Sequence, residues 1–248
     1  MDLGIKGRRA AIAGASGGLG FAIARSLARE GVHVAICGRD RERIEAAAAS
    51  AGDGVVPLVA DVSSEAGASG FVARAADALG GAIDILLANG GGPPAGPAAG
   101  VDLEQLRGAV DRSLFAHVAM VEAALPAMRE QRWGRILAIT TVGVREPLPT
   151  MVYSNVARTG LTGYLKQLSR EVIRDGITVN SLLPNSHRTG RLESMIPDLD
   201  AYATSLVSGR LGAAGDFGEI GAFLCSEQAN YLTGIALPVD GGSGASLG

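Results

Sequence analysis

Ala11-Ile12-Ala13-Gly14-Ala15-Ser16-Gly17-Gly18-Leu19-Gly20 is an apolar run that breaks into glycines and restarts as a helix. Residues 10–13 predict a buried strand, and the spacing of Leu19, Ile23 and Leu27 predicts one face of a helix that ends near Gly31. The glycines permit a tight turn and a close approach to a phosphate, to which the helix N-terminus offers free N–H groups. The pattern therefore predicts a nucleotide-phosphate site, the other interpretation being a glycine-rich turn without a ligand.

The composition is typical of one α/β domain. Hydrophobic residues make up 47% of the 248 residues and aromatic residues only 4%, and the chain holds 36 glycines. This suits helices packed closely on a parallel sheet better than an aromatic-rich β fold. A chain of this length forms one large domain or two small ones, and no repeat or linker divides it. We therefore expect a single domain over residues 1–248.

Charge, cysteine content and apolar runs exclude several classes of protein. The net charge is −3 and no basic stripe is present, so we expect no nucleic-acid partner. Cys37 and Cys225 are too few for a disulfide framework or a cysteine metal site, and no cluster has metal-ligand spacing. Residues 1–6 lack a signal pattern, and no apolar run approaches a membrane span. The expectation is a cytoplasmic protein with no metal and no membrane partner.

Seven apolar segments alternate with helical patterns along the chain. Strands are predicted at residues 10–13, 32–37, 55–60, 83–88, 135–140, 178–183 and 235–239. Helices are predicted from 19 to about 31, at 43–50, from the third strand to about 79, and at about 103–128, 153–175 and 217–226. This alternation predicts an α/β fold, a doubly wound parallel seven-stranded sheet of the Rossmann type with helices on both faces. Residues 185–215, the longest irregular stretch, follow the carboxyl end of a strand and are predicted to form a substrate lid.

The end of the second strand bears on the choice of nucleotide. An acid there would bind the 2′-hydroxyl of NAD, whereas a nearby arginine accommodates the phosphate of NADP. The strand ends at Gly38 without an acid, and Arg39 follows with a guanidinium fork that matches phosphate. We therefore predict NADP(H) in preference to NAD(H), a solvated Arg39 being the alternative. Asp40 is predicted to cap the next helix, and Asp61 either accepts from the adenine amine or caps its own helix.

Together these residues resemble the short-chain dehydrogenase/reductase family over nearly the whole chain. Gly14-x-x-x-Gly18-x-Gly20 is similar to the family's cofactor loop, and Ala88-Asn89-Gly90-Gly91 to its Asn-Asn-Ala-Gly element. Gly134-Arg135-Ile136, Pro184 with Thr189, and Val239-Asp240-Gly241-Gly242 follow in the family's order, with Asn185 in place of a glycine. The 3-oxoacyl-carrier-protein reductase-like branch is the most similar. The resemblance implies cofactor contacts from Gly14, Ser16, Gly18, Leu19, Gly20, Arg39, Asp61, Val62, Asn89, Gly90, Arg158, Pro184 and Thr189.

The catalytic positions of the family are filled differently in this chain. Family enzymes reduce carbonyls with a serine that steadies the oxyanion, a tyrosine that protonates the oxygen, a lysine that lowers the tyrosine pKa, and a helix asparagine. The resemblance places Thr141 in the serine position, Ser154 in the tyrosine position, Arg158 in the lysine position and Ser113 in the asparagine position. Thr141 is equally interpreted as a plain strand residue.

Tyr153 lies one residue before the tyrosine position, and one helical step rotates a side chain by ~100°. Either the loop at 142–152 shifts so that Tyr153 reaches the pocket mouth, with Arg158 supplying the cation, or Tyr153 packs and Ser154 faces the nicotinamide. A serine is a far poorer acid than a phenol, and arginine keeps its charge without relaying protons. The loss of a positioned general acid costs a factor on the order of 10²–10⁴ in rate. We therefore expect an atypical proton donor.

The three histidines carry weaker predictions. His33 and His117 fall in strand and helix patterns and are interpreted as structural. His187 lies with Arg188 and Arg191 in the predicted lid, where it is interpreted as an exposed loop residue or as a group that binds an anion or donates a proton.

Three functions follow from these residues. The first is an NADP(H)-dependent oxidoreductase that reduces a carbonyl, or oxidises an alcohol, of a small molecule with an atypical proton donor. The second is a non-catalytic NADP(H)-binding protein. The third is a lyase resembling the halohydrin dehalogenases, favoured by Arg158 and disfavoured by the intact glycine turn. The resemblance also implies a homo-oligomer, a tetramer or a dimer, formed through the helices at 103–128 and 153–175 and the last strand.

Overall fold

The computed structural model describes residues 1–246, and they form one sheet of seven strands covered by helices. The strands are β1 (Arg9–Ile12), β2 (His33–Gly38), β3 (Val56–Val59), β4 (Ile85–Ala88), β5 (Gly134–Ile139), β6 (Ile177–Pro184) and β7 (Ala236–Val239). Their spatial order is β3-β2-β1-β4-β5-β6-β7, and each of these pairings is parallel. The predicted doubly wound parallel sheet is confirmed.

The helices occupy the segments between the strands. They are α1 (Gly18–Arg29), α2 (Arg41–Ala51), α3 (Glu65–Ala78), α4 (Leu103–Val110), α5 (Ala116–Glu130), α6 (Val152–Val172), α7 (Gly190–Met195), α8 (Leu199–Ser205) and α9 (Ala214–Leu224). The segment predicted as one helix over 103–128 is interrupted by a five-residue π-helical turn, Asp111–Phe115. The stretch predicted as irregular over 185–215 contains α7 and α8. Apolar spacing does not reveal a π turn, because the apolar face continues through it.

The core lies on both faces of the sheet. Along β1, Ala11 packs toward α3, α5 and α6, whereas its neighbour Ile12 packs toward α1, α2 and α9. Successive side chains of a strand point to opposite faces, so a strand covered on both sides is apolar at every position. The free thiols Cys37 and Cys225 lie in this core, where burial raises the pKa of each to about 12.

The strand order places a crevice above β1 and β4. The chain runs outward from β1 through β2 to β3, then returns to β4 on the other side of β1 and continues to β7. In an open α/β sheet, ligands bind at the carboxyl ends of the strands where this direction reverses. The turns after β1 and β4 therefore frame the candidate site.

The part of the chain that the structure describes shows neither a membrane-spanning helix nor a metal-binding cluster. None of the helices within residues 1–246 is long and apolar enough to cross a membrane. Within the same residues, no group of three or more His, Cys, Asp or Glu side chains is arranged to hold a metal ion.

Candidate active site

The turn after β1 is shaped by its glycines. Gly14 and Gly18 have φ values of +59° and +63°, in the left-handed region that favours glycine. A β-carbon at Gly20 would lie 2.7 Å from the Gly14 carbonyl oxygen and 2.8 Å from Asn89 Nδ2. The end of β1 and the first turn of α1 therefore approach each other so closely that only glycine fits at position 20.

The N-terminus of α1 has no side-chain cap. Gly17 stands at the cap position, and the first turn of α1 carries no acidic side chain. By contrast, Asp40, Ser64 and Asp102 accept hydrogen bonds from the first turns of α2, α3 and α4. The N–H groups at the start of α1 are thus free of side-chain acceptors, which suits a phosphate.

The capping predictions are resolved by these contacts. Asp40 accepts from the Arg43 amide at 2.9 Å, so its predicted role as a helix cap is confirmed. The interpretation of Asp61 as a helix cap is wrong, because Ser64 caps α3 and Asp61 accepts from the Ser63 amide at 3.0 Å instead. The serine is favoured because it stands directly before the helix, three residues beyond Asp61.

Asn89 ties the end of β4 to the glycine turn. Its Nδ2 donates to the carbonyl oxygens of Ala13 at 3.1 Å and Gly14 at 3.2 Å. The next residue, Gly90, faces Val62, whose Cγ2 lies 4.0 Å from a β-carbon built on the glycine. The ends of β1, β3 and β4 are thereby joined into one wall.

The segment after β6 closes over the same turn. Pro184 ends β6, and Thr189 lies with its methyl carbon 3.7 Å from a β-carbon built at Gly18. Thr189 Oγ1 accepts from the Leu192 amide at 3.4 Å and so caps α7. The predicted cofactor residues on either side of the crevice are thus brought together.

The end of β2 leaves no room for an acidic side chain. A β-carbon at Gly38 would lie 3.0 Å from Ser16 Cβ and 3.3 Å from Ser16 Oγ. Arg39 is exposed, and no carboxylate within residues 1–246 forms an ion pair with it. The end of β2 thus carries no acid, and the exposed cation Arg39 follows it directly.

Tyr153 and Ser154, adjacent on α6, point to different surroundings. The Tyr153 hydroxyl accepts from the Asp102 amide at 3.2 Å, and its ring fills the space beside Gly96. Ser154 is 2% exposed, and its hydroxyl accepts from Arg158 Nη1 at 3.3 Å. The phenol is thus held against the loop before α4, and the serine lies with the cation.

Arg158 is a half-buried cation on α6. Burial, and to a lesser degree the charge of Arg191, lowers its pKa to about 10, so it stays protonated at neutral pH. Among residues 1–246, no carboxylate oxygen lies within 4 Å of its guanidinium. Its positive charge is therefore available to a ligand.

Ser113 lies in the π-helical turn and is 1% exposed, and its Oγ has no hydrogen-bond partner. His117, four residues later in the chain, is also buried, and its Nδ1 has no hydrogen-bond partner. Its ring edge lies 3.4 Å from a β-carbon built at Gly90. The sequence interpretation treated His117 as structural only. His117 stands four residues after Ser113, a spacing that on a helix brings two side chains toward one face.

Thr141 begins a short 3₁₀ helix, Val142–Val144, and its Oγ1 accepts from the Gly143 amide at 3.2 Å. The segment after it lines a cavity of about 220 Å³ together with Asn185 and residues of the C-terminal segment. Arg145 and Glu146 of this segment contribute to the lining of the cavity.

The three basic residues of the predicted lid have different environments. The interpretation of His187 as an exposed loop residue is wrong, since it is 6% exposed and packs edge-on against Phe217 with ring centroids 5.0 Å apart. Arg188 lies 4.0 Å from Asp200 at the surface. Arg191 is exposed, and its Nη2 lies 3.5 Å from the Pro93 carbonyl oxygen. His33, expected to be structural, is exposed at the start of β2.

His117 is expected to make the protein sensitive to acid. Burial, followed by the charge of Arg158, lowers its pKa from 6.5 to about 4. As the pH falls from 6.5 toward 4, His117 binds a proton in the unfolded chain but not in the folded protein. The free energy of unfolding therefore falls, by about 3 kcal/mol at pH 4. In urea unfolding at pH 4 to 7, His117→Gln is expected to lose this part of the acid sensitivity, whereas the exposed control His33→Gln keeps it. Equal pH profiles for wild type and His117→Gln would contradict the assignment.

The chain resembles known proteins along its whole length. A family model described as enoyl-(acyl carrier protein) reductase matches residues 14–244. Dehydrogenase/reductase SDR family member 4 from Sus scrofa is 32% identical over 253 residues, which cover 98% of this chain and 89% of that protein.

Solved structures agree with this likeness. L-sorbose reductase from Gluconobacter frateurii, complexed with NADPH and L-sorbose, matches with a TM-score of 0.91 at 29% identity over 100% of both chains. The 3-ketoacyl-(acyl-carrier-protein) reductase from Brucella melitensis, complexed with NADH, matches with a TM-score of 0.87 at 31% identity, over 96% of this chain and 99% of that one. Both relatives hold a nicotinamide dinucleotide.

Proposed function

The chain belongs to the short-chain dehydrogenase/reductase family of oxidoreductases, and from that premise we propose that it is an NADP(H)-dependent enzyme that reduces a carbonyl, or oxidises an alcohol, of a small molecule. The observation that carries the proposal is the combination of the glycine turn after β1 with a half-buried cation on α6, Arg158, whose guanidinium has no carboxylate oxygen within 4 Å among residues 1–246. The cofactor supplies the hydride, and the side chains of this protein position the substrate and stabilise the charge that forms on its oxygen.

Each part of the dinucleotide has a place in the crevice. The first-turn amides of α1, at Gly18 and Leu19, suit the pyrophosphate because they have no side-chain acceptor. Ser16 and Arg39 suit the 2′-phosphate, while Asp61 and Val62 lie at the end of β3 on the adenine side. Toward the nicotinamide, the crevice is bounded by residues at or just beyond the ends of β4 and β6: Asn89, Gly90, Pro184 and Thr189.

Arg39→Ala is expected to weaken NADPH binding about 10- to 100-fold, because one charge-assisted contact to the 2′-phosphate is lost. Binding of NADH, which lacks that phosphate, is expected to change by less than about threefold. Fluorescence titration with both nucleotides measures the effect. Arg41→Ala is the matched control, since Arg41 is also exposed at this end of α2 but pairs with Glu45 at 3.2 Å. An equal loss of affinity for NADPH and NADH in Arg39→Ala would argue against a contact between Arg39 and the 2′-phosphate.

We infer that Ser154 and Arg158 take the roles that a tyrosine and a lysine have elsewhere in the family. Arg158 donates to Ser154 Oγ, which leaves the serine hydrogen free to point at a substrate oxygen. The guanidinium is half-buried, and a positive charge held in such a place stabilises a developing oxyanion. The π-helical turn that carries Ser113 and the 3₁₀ helix that follows Thr141 both contact α6, and Tyr153 packs against the loop before α4.

A non-catalytic NADP(H)-binding protein is the second candidate. It is favoured by the absence of a phenol at the position of Ser154 and by the hydroxyl of Tyr153 being held by the Asp102 amide. Reduction of any ketone, imine or enone with NADPH would exclude this function. A third candidate, a dehalogenase-like lyase, is disfavoured by the intact glycine turn. Release of halide from a halohydrin by the purified protein would support this candidate.

We also propose a homo-oligomer, a dimer or a tetramer. Phe115 and Val156 are each 47% exposed on the long helical segments that pack together, where Leu114 lies 3.2 Å from a β-carbon built at Gly160. Light scattering is expected to give two or four times the mass of one chain. The double variant Phe115→Glu/Val156→Glu is expected to have half the mass of the wild-type oligomer. Val207→Glu, at an exposed apolar residue between α8 and α9, is the control. A monomer in the wild type would contradict the proposal.

The cytoplasmic location stays a prediction from the sequence.

A further inference from the structure

The cavity of about 220 Å³ lies at the carboxyl edge of the sheet, on the side of β5, β6 and β7. Its wall contains Val142, just after β5, Asn185, just after β6, and Pro238, in β7. Ligands of open α/β sheets bind at this edge, so the cavity is placed to take the part of a substrate that extends away from the nucleotide. Its volume is that of about seven water molecules, which limits the occupant to a small molecule.

Asn185 brings a side-chain amide to this cavity, at the residue directly after Pro184. The family pattern has a glycine at this position, so the amide is a feature of this chain. Asn185 is half-buried, and its backbone amide donates to the Val239 carbonyl oxygen at 3.4 Å. The residue is therefore fixed between the ends of β6 and β7, and its side chain is part of the cavity wall.

Two hydroxyl groups set the direction of this amide. Ser186 Oγ donates to Asn185 Oδ1 at 3.4 Å, and it lies 2.7 Å from the hydroxyl of Tyr202 on α8. A serine hydroxyl has one hydrogen, and because that hydrogen points at Asn185, the hydrogen between the two hydroxyls comes from Tyr202. The donors thus run from Tyr202 through Ser186 to the amide oxygen. With its oxygen occupied, Asn185 presents the Nδ2 group, a hydrogen-bond donor, to the cavity.

The charged side chains of the cavity disfavour an anionic ligand. Its lining holds two carboxylates, Glu146 and Asp240, and one guanidinium, Arg145. Asp240 accepts from two backbone amides of the C-terminal segment at 3.0 Å each, and Arg145 donates to the Ala236 carbonyl oxygen at 2.6 Å. Glu146 is half-buried, and among residues 1–246 no cationic side chain lies within 4 Å of its carboxylate. Its oxygens are therefore available to accept from a hydroxyl of a ligand.

We propose that this cavity selects a small, neutral ketone that carries hydroxyl groups, with Asn185 Nδ2 donating to one hydroxyl oxygen and Glu146 accepting from a hydroxyl. This assignment of the substrate class rests on the proposed oxidoreductase function. Two carboxylates against one guanidinium repel an oxo acid. A plain ketone leaves the amide and the carboxylate without partners, which lowers its affinity. Asn185 is thus a specificity-determining residue, and Tyr202 is a positioning residue that acts on it through Ser186.

The reaction of such a substrate is a simple reduction. The ketone carbon gains the hydride that NADPH supplies, the C–O π bond opens onto the oxygen, and the oxygen takes one proton from solvent by way of the Ser154 hydroxyl. The products are an alcohol with the original hydroxyl groups intact and NADP⁺. The residues of the cavity take no part in these steps and act on the choice of substrate.

The kinetic test uses three substrates with the same number of non-hydrogen atoms: dihydroxyacetone, pentan-3-one and pyruvate. Initial rates of NADPH oxidation are expected to give the highest kcat/KM for dihydroxyacetone. Asn185→Leu, which removes the amide and keeps most of its volume, is expected to lower this kcat/KM about 5- to 50-fold and to leave that for pentan-3-one within about threefold. Asn230→Leu, at an exposed asparagine, is the matched control. Equal losses on dihydroxyacetone and pentan-3-one in Asn185→Leu, or a wild-type preference for pyruvate, would overturn the proposal.

Tyr202→Phe tests the positioning role, because it removes the first donor and no group that meets the substrate. We expect the preference for dihydroxyacetone over pentan-3-one to fall about 2- to 10-fold, with the rate on pentan-3-one unchanged. A merely structural role in α8 would lower the rates on both ketones. Tyr231→Phe, at a tyrosine that is 95% exposed, is the control. An unchanged preference in Tyr202→Phe would contradict the positioning role.

A binding measurement separates this proposal from the proposed function. Erythritol, a tetrol without a carbonyl, is observed by saturation-transfer NMR in the presence of the protein and excess NADPH, a mixture in which it can be neither reduced nor oxidised. Binding to wild type and to Asn230→Leu, with loss in Asn185→Leu, supports the cavity site even when no ketone is turned over, in which case the oxidoreductase proposal alone fails. Equal binding by Asn185→Leu and wild type, or none by either, overturns the cavity site whatever the rates are.

Discussion

Gly20→Ala is expected to weaken NADPH binding about 100-fold or more, the largest loss of cofactor affinity that we predict for a one-carbon change. A β-carbon at this position would lie 2.7 Å from the Gly14 carbonyl oxygen and 2.8 Å from Asn89 Nδ2. Neither neighbour can give way easily, because one is backbone and the other is held by two hydrogen bonds of its own. The first turn of α1 must therefore move away from β1, and its amides move with it.

Gly17→Ala is the matched control for this experiment. Gly17 belongs to the same turn, but a β-carbon there meets nothing within 4 Å, and its φ of 165° is extended backbone that any residue adopts. Its NADPH affinity is expected to stay within about threefold of wild type. Fluorescence titration gives the affinities, and thermal unfolding shows whether each variant is folded. A folded Gly20→Ala variant with wild-type affinity would mean that this turn does not hold the phosphates.

Arg158→Met is expected to lower kcat about 10²- to 10³-fold on whatever substrate the enzyme reduces, the cost of removing one preorganised charge from an oxyanion. Methionine fills much of the same space without the charge or the hydrogen bond to Ser154. NADPH binding is expected to weaken by less than about tenfold, because the phosphates are held elsewhere. Steady-state kinetics and titration of the same preparations separate the two effects.

Three further variants identify the hydroxyl that serves the reaction. Arg158→Lys keeps the positive charge and is expected to retain more activity than Arg158→Met. Ser154→Ala removes the hydroxyl next to the guanidinium and is expected to lower kcat, whereas Tyr153→Phe removes a hydroxyl that accepts from the Asp102 amide and is expected to leave kcat within about threefold. A large loss in Tyr153→Phe with none in Ser154→Ala would favour the alternative in which the phenol reaches the pocket mouth.

The sheet was predictable because its signals are local and repeated. The apolar segment that became β1 and the spacing of Leu19, Ile23 and Leu27 in α1 each reflect burial against the sheet, and both are visible in a short window of sequence. The cap at Asp40 was found for the same reason, since a capping side chain reaches only three residues along the chain.

Other features depend on contacts between distant segments. Asp61 and Ser64 are both good capping residues, and only the start of α3 at Glu65 selects the serine. The direction of Tyr153 is set by the loop that carries Gly96 and Asp102, some fifty residues earlier. The position of Arg191 depends on the absence of a side chain at Gly92, where a β-carbon would lie 2.9 Å from its Nη1. No periodicity in the sequence encodes such pairs, which is why the substrate side was the least predictable part of the site.

The most direct measurement is the oxidation of NADPH by the purified protein, followed in the presence of a panel of oxo acids, ketones and enones after saturable NADPH binding has been established. We expect NADPH to bind more tightly than NADH and to be oxidised with at least one carbonyl substrate, in a reaction that Arg158→Met slows. Tight binding of NADPH with no oxidation by any member of the panel would contradict the oxidoreductase function and favour a protein that only binds the dinucleotide.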